Sequence, residues 1–255
     1  MTTTSGYLEL GDLRLYHEET GDGSPLVLVH GGVLDIEQSW RELVPVLAER
    51  HRVVALELQG HGRTNDIDRP ITPAAMAGDV VALLDHLGID RAHVLGHSLG
   101  GAVALELAVS HPDRVRSVVA LSVTVRPDGM HEDLTDPARM ATSTRMPTQE
   151  DFVGMRESYQ RLSPHPEHFD EFLQSLSANQ ADLRGWSDEQ LAGITAPLLH
   201  VMGDRDFTTV EHAGLMLRLI PGSRLAVLPD TTHMQVFRRT TLLDLLVRDF
   251  LDQRD

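Results

Sequence analysis

The chain has 255 residues, 41% of them apolar and 24% charged, with 38 acidic against 22 basic side chains and a net charge of −16. Such a field repels phosphate backbones and anionic surfaces, so nucleic acid and membranes are not expected as partners. Cysteine is absent and every basic residue is arginine, which excludes disulfides, thiolate nucleophiles, Schiff-base lysines and a P-loop lysine.

The opening MTTTSGYLEL lacks the basic and apolar segments of a secretory signal, and no apolar run reaches membrane-spanning length, so a cytoplasmic address is expected. YLEL (7–10) and LRLYHEE (13–19) read as a hairpin turning at Gly11-Asp12. PLVLVHGG (25–32) is a buried strand ending in glycines, residues 39–49 a helix, and RVVALEL (52–58) the next strand. A helix over 72–88 takes Thr72 as N-cap and Pro73 at its first position, and stops at Gly88. RAHVLGHS (91–98) is a strand, LGGAVALELAVSHP (99–112) a helix and RVRSVVALSVT (114–124) a strand. Beyond residue 192, strands over 197–204 and 223–230 alternate with helices over 208–219 and 239–251. Strands alternating with longer helices predict an α/β fold: a mostly parallel central sheet flanked by helices.

Residues 125–192 break this rhythm, with about four amphipathic helical patterns and no strand, more than a strand-to-helix connection requires. They read as a helical cap inserted into a core formed by 1–124 and 193–255. The cap carries 13 acidic and 6 basic residues, a field that disfavours anionic substrates. Its methionines and phenylalanines point to an adaptable apolar cavity, although most of them serve to pack the cap on the core.

The most specific motif is Gly96-His97-Ser98-Leu99-Gly100, set between a strand and a helix. Gly-x-Ser-x-Gly in that context is a nucleophile elbow: a turn sharp enough to need glycine on both sides, lifting the serine above the sheet edge at a helix N-terminus. With this motif the chain resembles the α/β-hydrolase family, over nearly its whole length. The resemblance implies a chain order of nucleophile, acid and histidine. His233, in PDTTHMQVF just past the strand 223–230, stands where the family places its base. After the strand 197–204, Gly203-Asp204-Arg205-Asp206 offers two acids. The resemblance favours Asp206, leaving Asp204 to cap the loop. An oxyanion hole needs two backbone N–H donors. One is expected from Leu99, next after the serine, and the resemblance points to Gly32, after His30-Gly31, for the other. Substrate-pocket candidates are Val33, His97, Met130, Met155, Tyr159 and Met234.

His30, His61 and His97 are expected to make loop hydrogen bonds, and the remaining strand and helix histidines to serve structure. The family often carries Asp-x-x-Gly-x-Gly after its fourth strand, where this chain has Glu57-Leu58-Gln59-Gly60-His61-Gly62, a mild change outside the triad. The spacing of His165 and His168 superficially suits a metal, but Pro166 between them and the lack of other ligands read as a helix start, so neither metal nor cofactor is expected. The implied chemistry is hydrolysis of a carboxylic ester or lactone of a neutral, fairly apolar small molecule through an acyl-enzyme. Cofactor-free perhydrolases and carbon–carbon bond hydrolases share the triad, and some proteins resembling this fold bind a ligand without turning it over. Oligomeric state is not legible.

Overall fold

Along residues 26–29 the side chains alternate: Leu26 and Leu28 enter one buried cluster, Val27 and Val29 the other. That period of two marks a strand covered on both faces. The computed structural model describes residues 1–181 and 185–253. In chain order it shows β1 (Thr3–Leu10), β2 (Leu13–Thr20), β3 (Ser24–Val29), α1 (Ile36–Trp40), α2 (Val44–Leu47), β4 (His51–Leu56), α3 (Pro73–His86), β5 (Ala92–His97), α4 (Leu99–Ser110) and β6 (Val115–Leu121). Then come α5 (Pro137–Met140), α6 (Gln149–Leu162), α7 (Phe169–Ala181), α8 (Asp188–Ala192), β7 (Leu198–Arg205), α9 (Val210–Leu219), β8 (Arg224–Thr232) and α10 (Thr240–Asp252).

The eight strands form one sheet in the order β1-β2-β4-β3-β5-β6-β7-β8. The hairpin pairs antiparallel and joins β4 antiparallel; the other five pairings are parallel. One face buries Val54, Val94, Val118 and Ala120 with Val80, Leu83 and Val103 of α3 and α4. The opposite face buries Leu95, Val119, Leu121 and Val201 with Trp40, Leu47 and Val247. Each such side chain contributes about 1.5–3 kcal/mol on leaving water, so the two layers over a twisted parallel sheet are the main source of stability.

One local reading holds and one changes. Thr72 Oγ1 accepts from Ala75 N at 3.2 Å, capping α3 as its sequence suggests. The helix expected over 39–49 is instead two short helices. Asp35 starts the first by accepting from Gln38 N at 2.9 Å. Pro45, in the first turn of the second, has no N–H with which to continue the preceding one.

Between β6 and β7 the chain leaves the sheet for four α-helices; of the predicted 125–192 cap, residues 182–184 lie outside the described residues. Thr148 and Asp151 cap α6 reciprocally. Tyr159 of α6 packs on Phe169 and Phe172 of α7, and Phe172 turns its ring edge-on to His61 at 4.7 Å. On the other side Met155 joins the cluster of Leu34, Ile36 and Met234. Ser158 Oγ donates to Asp35 Oδ2 at 2.5 Å, and Arg161 pairs with Glu37. These contacts reach segments that follow β3, β4 and β8, so the insertion lies along the carboxyl edge of the sheet. No helix among the described residues is long and apolar enough to cross a membrane.

Candidate active site

At the end of β5 the backbone turns through Ser98 with φ 52° and ψ −112°, a conformation side chains rarely adopt, and enters α4. The flanking glycines follow from close approach. A Cβ on Gly96 would stand 2.0 Å from Gly100 O, and one on Gly100 would stand 2.1 Å from Val29 O. Ser98 N donates to Leu121 O at 2.8 Å, tying the elbow to β6. Ser98 makes no side-chain cap on α4, so its hydroxyl is not spent on the helix it starts.

Asp206 and His233 meet because of a register shift in the last strand pair. Gly203 faces Leu228, yet Arg205 faces Thr232. The next residue of each strand therefore leaves the sheet beside the other. His233 Nδ1 lies 2.8 Å from Asp206 Oδ1. The carboxylate is 0% exposed and fully satisfied. Phe207 N at 2.6 Å shares Oδ1 with the imidazole, while Ser122 Oγ at 2.5 Å and Gly203 N at 3.2 Å bond Oδ2. Burial alone would raise its pKa, but the charge that His233 can carry and these donors hold it well below the usual carboxylate range. Asp204 takes another part: exposed, it accepts from Thr231 N at 3.0 Å and pins the start of the His233 loop.

Two rings pack on the imidazole of His233. The Phe207 ring lies parallel to it, 3.9 Å between centroids and 7° between planes. His97 packs on it at 4.8 Å. His97 Nε2 is 3.1 Å from His233 O; a carbonyl only accepts, so the proton sits on that nitrogen. Burial foremost, then the neighbouring His233, lowers His97 to about 3 and keeps it neutral. Among the described residues no hydrogen bond joins Ser98 Oγ to the His233 imidazole; the two segments approach through His97. Such bonds are often long without substrate and tighten on binding.

The N–H groups of Gly32 and Leu99 have no hydrogen-bond acceptor among the described residues. The loop that carries Gly32 is shaped by Leu34 N donating to Gly31 O and by Val33 at φ 65°. Below it His30 Nε2 accepts from Leu58 N at 3.0 Å, and His61 bonds Gln59 O at 2.8 Å.

The six pocket candidates divide. His97 is 1% exposed and structural in its contacts, because its ring is enclosed by His233 and Phe237. Met155 and Met234 share one buried cluster and Tyr159 belongs to the other, with Val33 packed against both. Met130 stays exposed and forms an isolated bridge to Thr208. Three residues went unnoticed in the sequence. Ser122 and Phe207 hold the acid and the imidazole, and Arg145 Nη1 donates to Asp206 O at 3.0 Å from the insertion. Only Phe207 carried a signal, its position next to Asp206; the other two are brought in by strand order and by a fold-back of 61 residues.

A family model described as alpha/beta hydrolase fold matches residues 24–149. Two curated relatives match over only 46% and 37% of their own length. One of them, the dihydrolipoyllysine-residue acetyltransferase component of an acetoin cleaving system in Cupriavidus necator, is 37% identical over 54% of this chain. A 2-hydroxy-6-oxononadienedioate/2-hydroxy-6-oxononatrienedioate hydrolase of Pseudomonas putida is 30% identical over 94% of this chain and 92% of its own. Among solved structures, Est816, described as an N-acyl homoserine lactone degrading enzyme, is 28% identical with a TM-score of 0.69, covering 96% of this chain and all of that one.

Proposed function

The chain belongs to the alpha/beta hydrolase fold family and has hydrolases among its relatives, and from that premise we propose that it is a serine hydrolase acting in the cytoplasm on the ester or lactone of a neutral, fairly apolar small molecule. What supports this above all is the bond between Asp206 and His233, buried beside the Ser98 elbow. The likeness to a lactone-degrading enzyme favours the lactone, and the acidic insertion between β6 and β7, read as a cap, favours an uncharged substrate.

In this mechanism Ser98 Oγ attacks the carbonyl carbon as His233 Nε2 takes its proton, while Asp206 holds the Nδ1–H tautomer and offsets the imidazolium charge. The N–H groups of Gly32 and Leu99 bind the developing oxyanion. His233 then protonates the leaving alkoxide, and the acyl-serine forms. Water, deprotonated by the same imidazole, attacks that acyl group and releases the acid and free Ser98. A lactone gives one hydroxy acid; an ester gives an acid and an alcohol.

A second reading, carbon–carbon cleavage of an oxo acid by the same residues, draws on the Pseudomonas putida relative. The test is a hydrolysis screen of neutral esters, lactones and oxo acids with Ser98→Ala as control, alongside labelling by a fluorophosphonate probe. Turnover of neutral esters or lactones, lost in the variant, and probe uptake at Ser98 are expected. Undiminished turnover by Ser98→Ala, or an inert serine in folded protein, overturns the proposal; the inert serine would favour a ligand-binding role.

A further inference from the structure

Away from the triad, titratable side chains gather at the turn joining α6 to α7. Pro166 opens a single tight turn over Pro166–His168, closed by His168 N donating to His165 O at 3.1 Å. A turn of three residues returns positions i and i+3 to one side. The imidazoles of His165 and His168 accordingly lie nearly parallel, 5.2 Å between centroids and 18° between planes. Between them Glu167 Oε1 lies 3.8 Å from His165 Nδ1 and 3.5 Å from His168 Nε2. From the first turn of α7, Glu171 Oε2 comes to 4.0 Å from His168 Nε2. The ligating atoms of His165, Glu167 and His168 all fall within 4.8 Å of one another.

A zinc ion holds nitrogen and carboxylate oxygen at about 2.0–2.2 Å in a tetrahedron, which sets its ligand atoms about 3.4 Å apart. The pair Glu167–His168 already has that spacing. His165 needs a shift on the order of an ångström, and Glu171, 4.0 Å from His168 Nε2 but outside the three-residue cluster, a larger swing of its exposed side chain. Two neutral imidazoles select zinc-class ions over magnesium or calcium, which take oxygen ligands, and the two carboxylates cancel a 2+ charge. The sequence-based expectation of no metal here rested on Pro166 as a helix start and on the lack of other ligands. Pro166 does open the helical turn that runs into α7, and that same turn brings Glu167 and Glu171 beside the two histidines.

His165, His168 and Glu171 border a cavity of 210 Å³ between the insertion and the core, lined also by Tyr159, Phe172, Gly60 and Asp66. We propose that His165, Glu167 and His168, with Glu171 as fourth ligand, form a binding site for one zinc-class divalent ion that fastens the α6–α7 turn beside this seam. The site is independent of the hydrolytic reading, since no step of that reaction passes through it.

The test is calorimetric titration of the full chain, stripped with chelator, with zinc chloride, and with cobalt chloride as a coloured stand-in. Wild type is expected to bind one equivalent with roughly micromolar affinity, and His165→Ala/His168→Ala at least about 30-fold more weakly. Cobalt should give the visible absorption of a tetrahedral site only with wild type, and zinc should raise the melting temperature only of wild type. Both histidines are exposed, so the variant should keep its circular dichroism and its ester turnover without metal. Equal zinc affinity in the two proteins, or no uptake by wild type below millimolar zinc, overturns the proposal.

Discussion

Replacing Asp206 with Asn changes a single atom pair, and the structure dictates how the variant must adapt. Oδ1 accepts from Phe207 N and His233 Nδ1; Oδ2 accepts from Ser122 Oγ and Gly203 N. An amide NH2 in the Oδ1 position would face two N–H donors and drive His233 to the wrong tautomer. In the Oδ2 position it faces one N–H, while the Ser122 hydroxyl can rotate to accept. The second arrangement is favoured, so His233 keeps its tautomer and loses only the charge beside it. A unit charge about 4 Å from the imidazolium contributes about 4 kcal/mol at an effective dielectric near 20, which corresponds to about a thousandfold in kcat/KM. Had the tautomer flipped as well, about ten thousandfold would be expected. The frustrated Gly203 N–H costs a further 1–3 kcal/mol or so of stability. The assay is hydrolysis of a chromogenic ester by folded Asp206→Asn, with exposed Asp204→Asn as a control held within about threefold. A folded Asp206→Asn enzyme retaining more than about a tenth of wild-type kcat/KM would refute this account of the carboxylate.

Ser122→Ala removes a charge-assisted bond to the same carboxylate; a loss of about 2 kcal/mol, or about 4–8 °C in Tm, should appear in thermal melts, and an unchanged Tm would contradict the role given to Ser122. Gly100→Ala would press a Cβ against Val29 O at 2.1 Å, so soluble expression should fail, and recovery of native circular dichroism would disprove the close approach. Stability should also fall on mild acidification. Burial foremost depresses His30 and His200 to about 4 and His61 and His97 to about 3, so the unfolded chain takes up protons below about pH 6.5 that the folded one refuses. Glu57, raised to about 7 chiefly by burial, opposes this, since the folded state binds its proton first. Four imidazoles against one carboxylate leave three protons, each worth about 1.4 kcal/mol per pH unit, so the slope approaches about 4 kcal/mol per unit near pH 5. Urea unfolding from pH 8 to pH 5 measures it, and a flat or rising stability in that window would contradict the buried neutral state.

Local physics is written in the chain, and so is most of this fold. The alternation of Leu26, Val27, Leu28 and Val29 specifies a strand covered on both faces, and Thr72-Pro73 a helix start. Gly96 and Gly100 announce a sharp turn at Ser98, because only glycine tolerates backbone oxygens at 2.0 and 2.1 Å. The chain also narrows the acid to two aspartates and supplies a histidine beyond the following strand. What it leaves undecided depends on residues far apart in sequence. Asp206 rather than Asp204 bonds His233 because the β7–β8 register slips by residues that no single strand encodes. Ser122 reaches that carboxylate only because β6 and β7 are neighbours in the sheet. His97, adjacent to the serine, is recruited to hold the His233 backbone rather than to face a substrate. Periodicity and glycine placement are properties of a segment; register, strand order and the meeting of loops arise only when segments pack, and they decide which polar groups become partners.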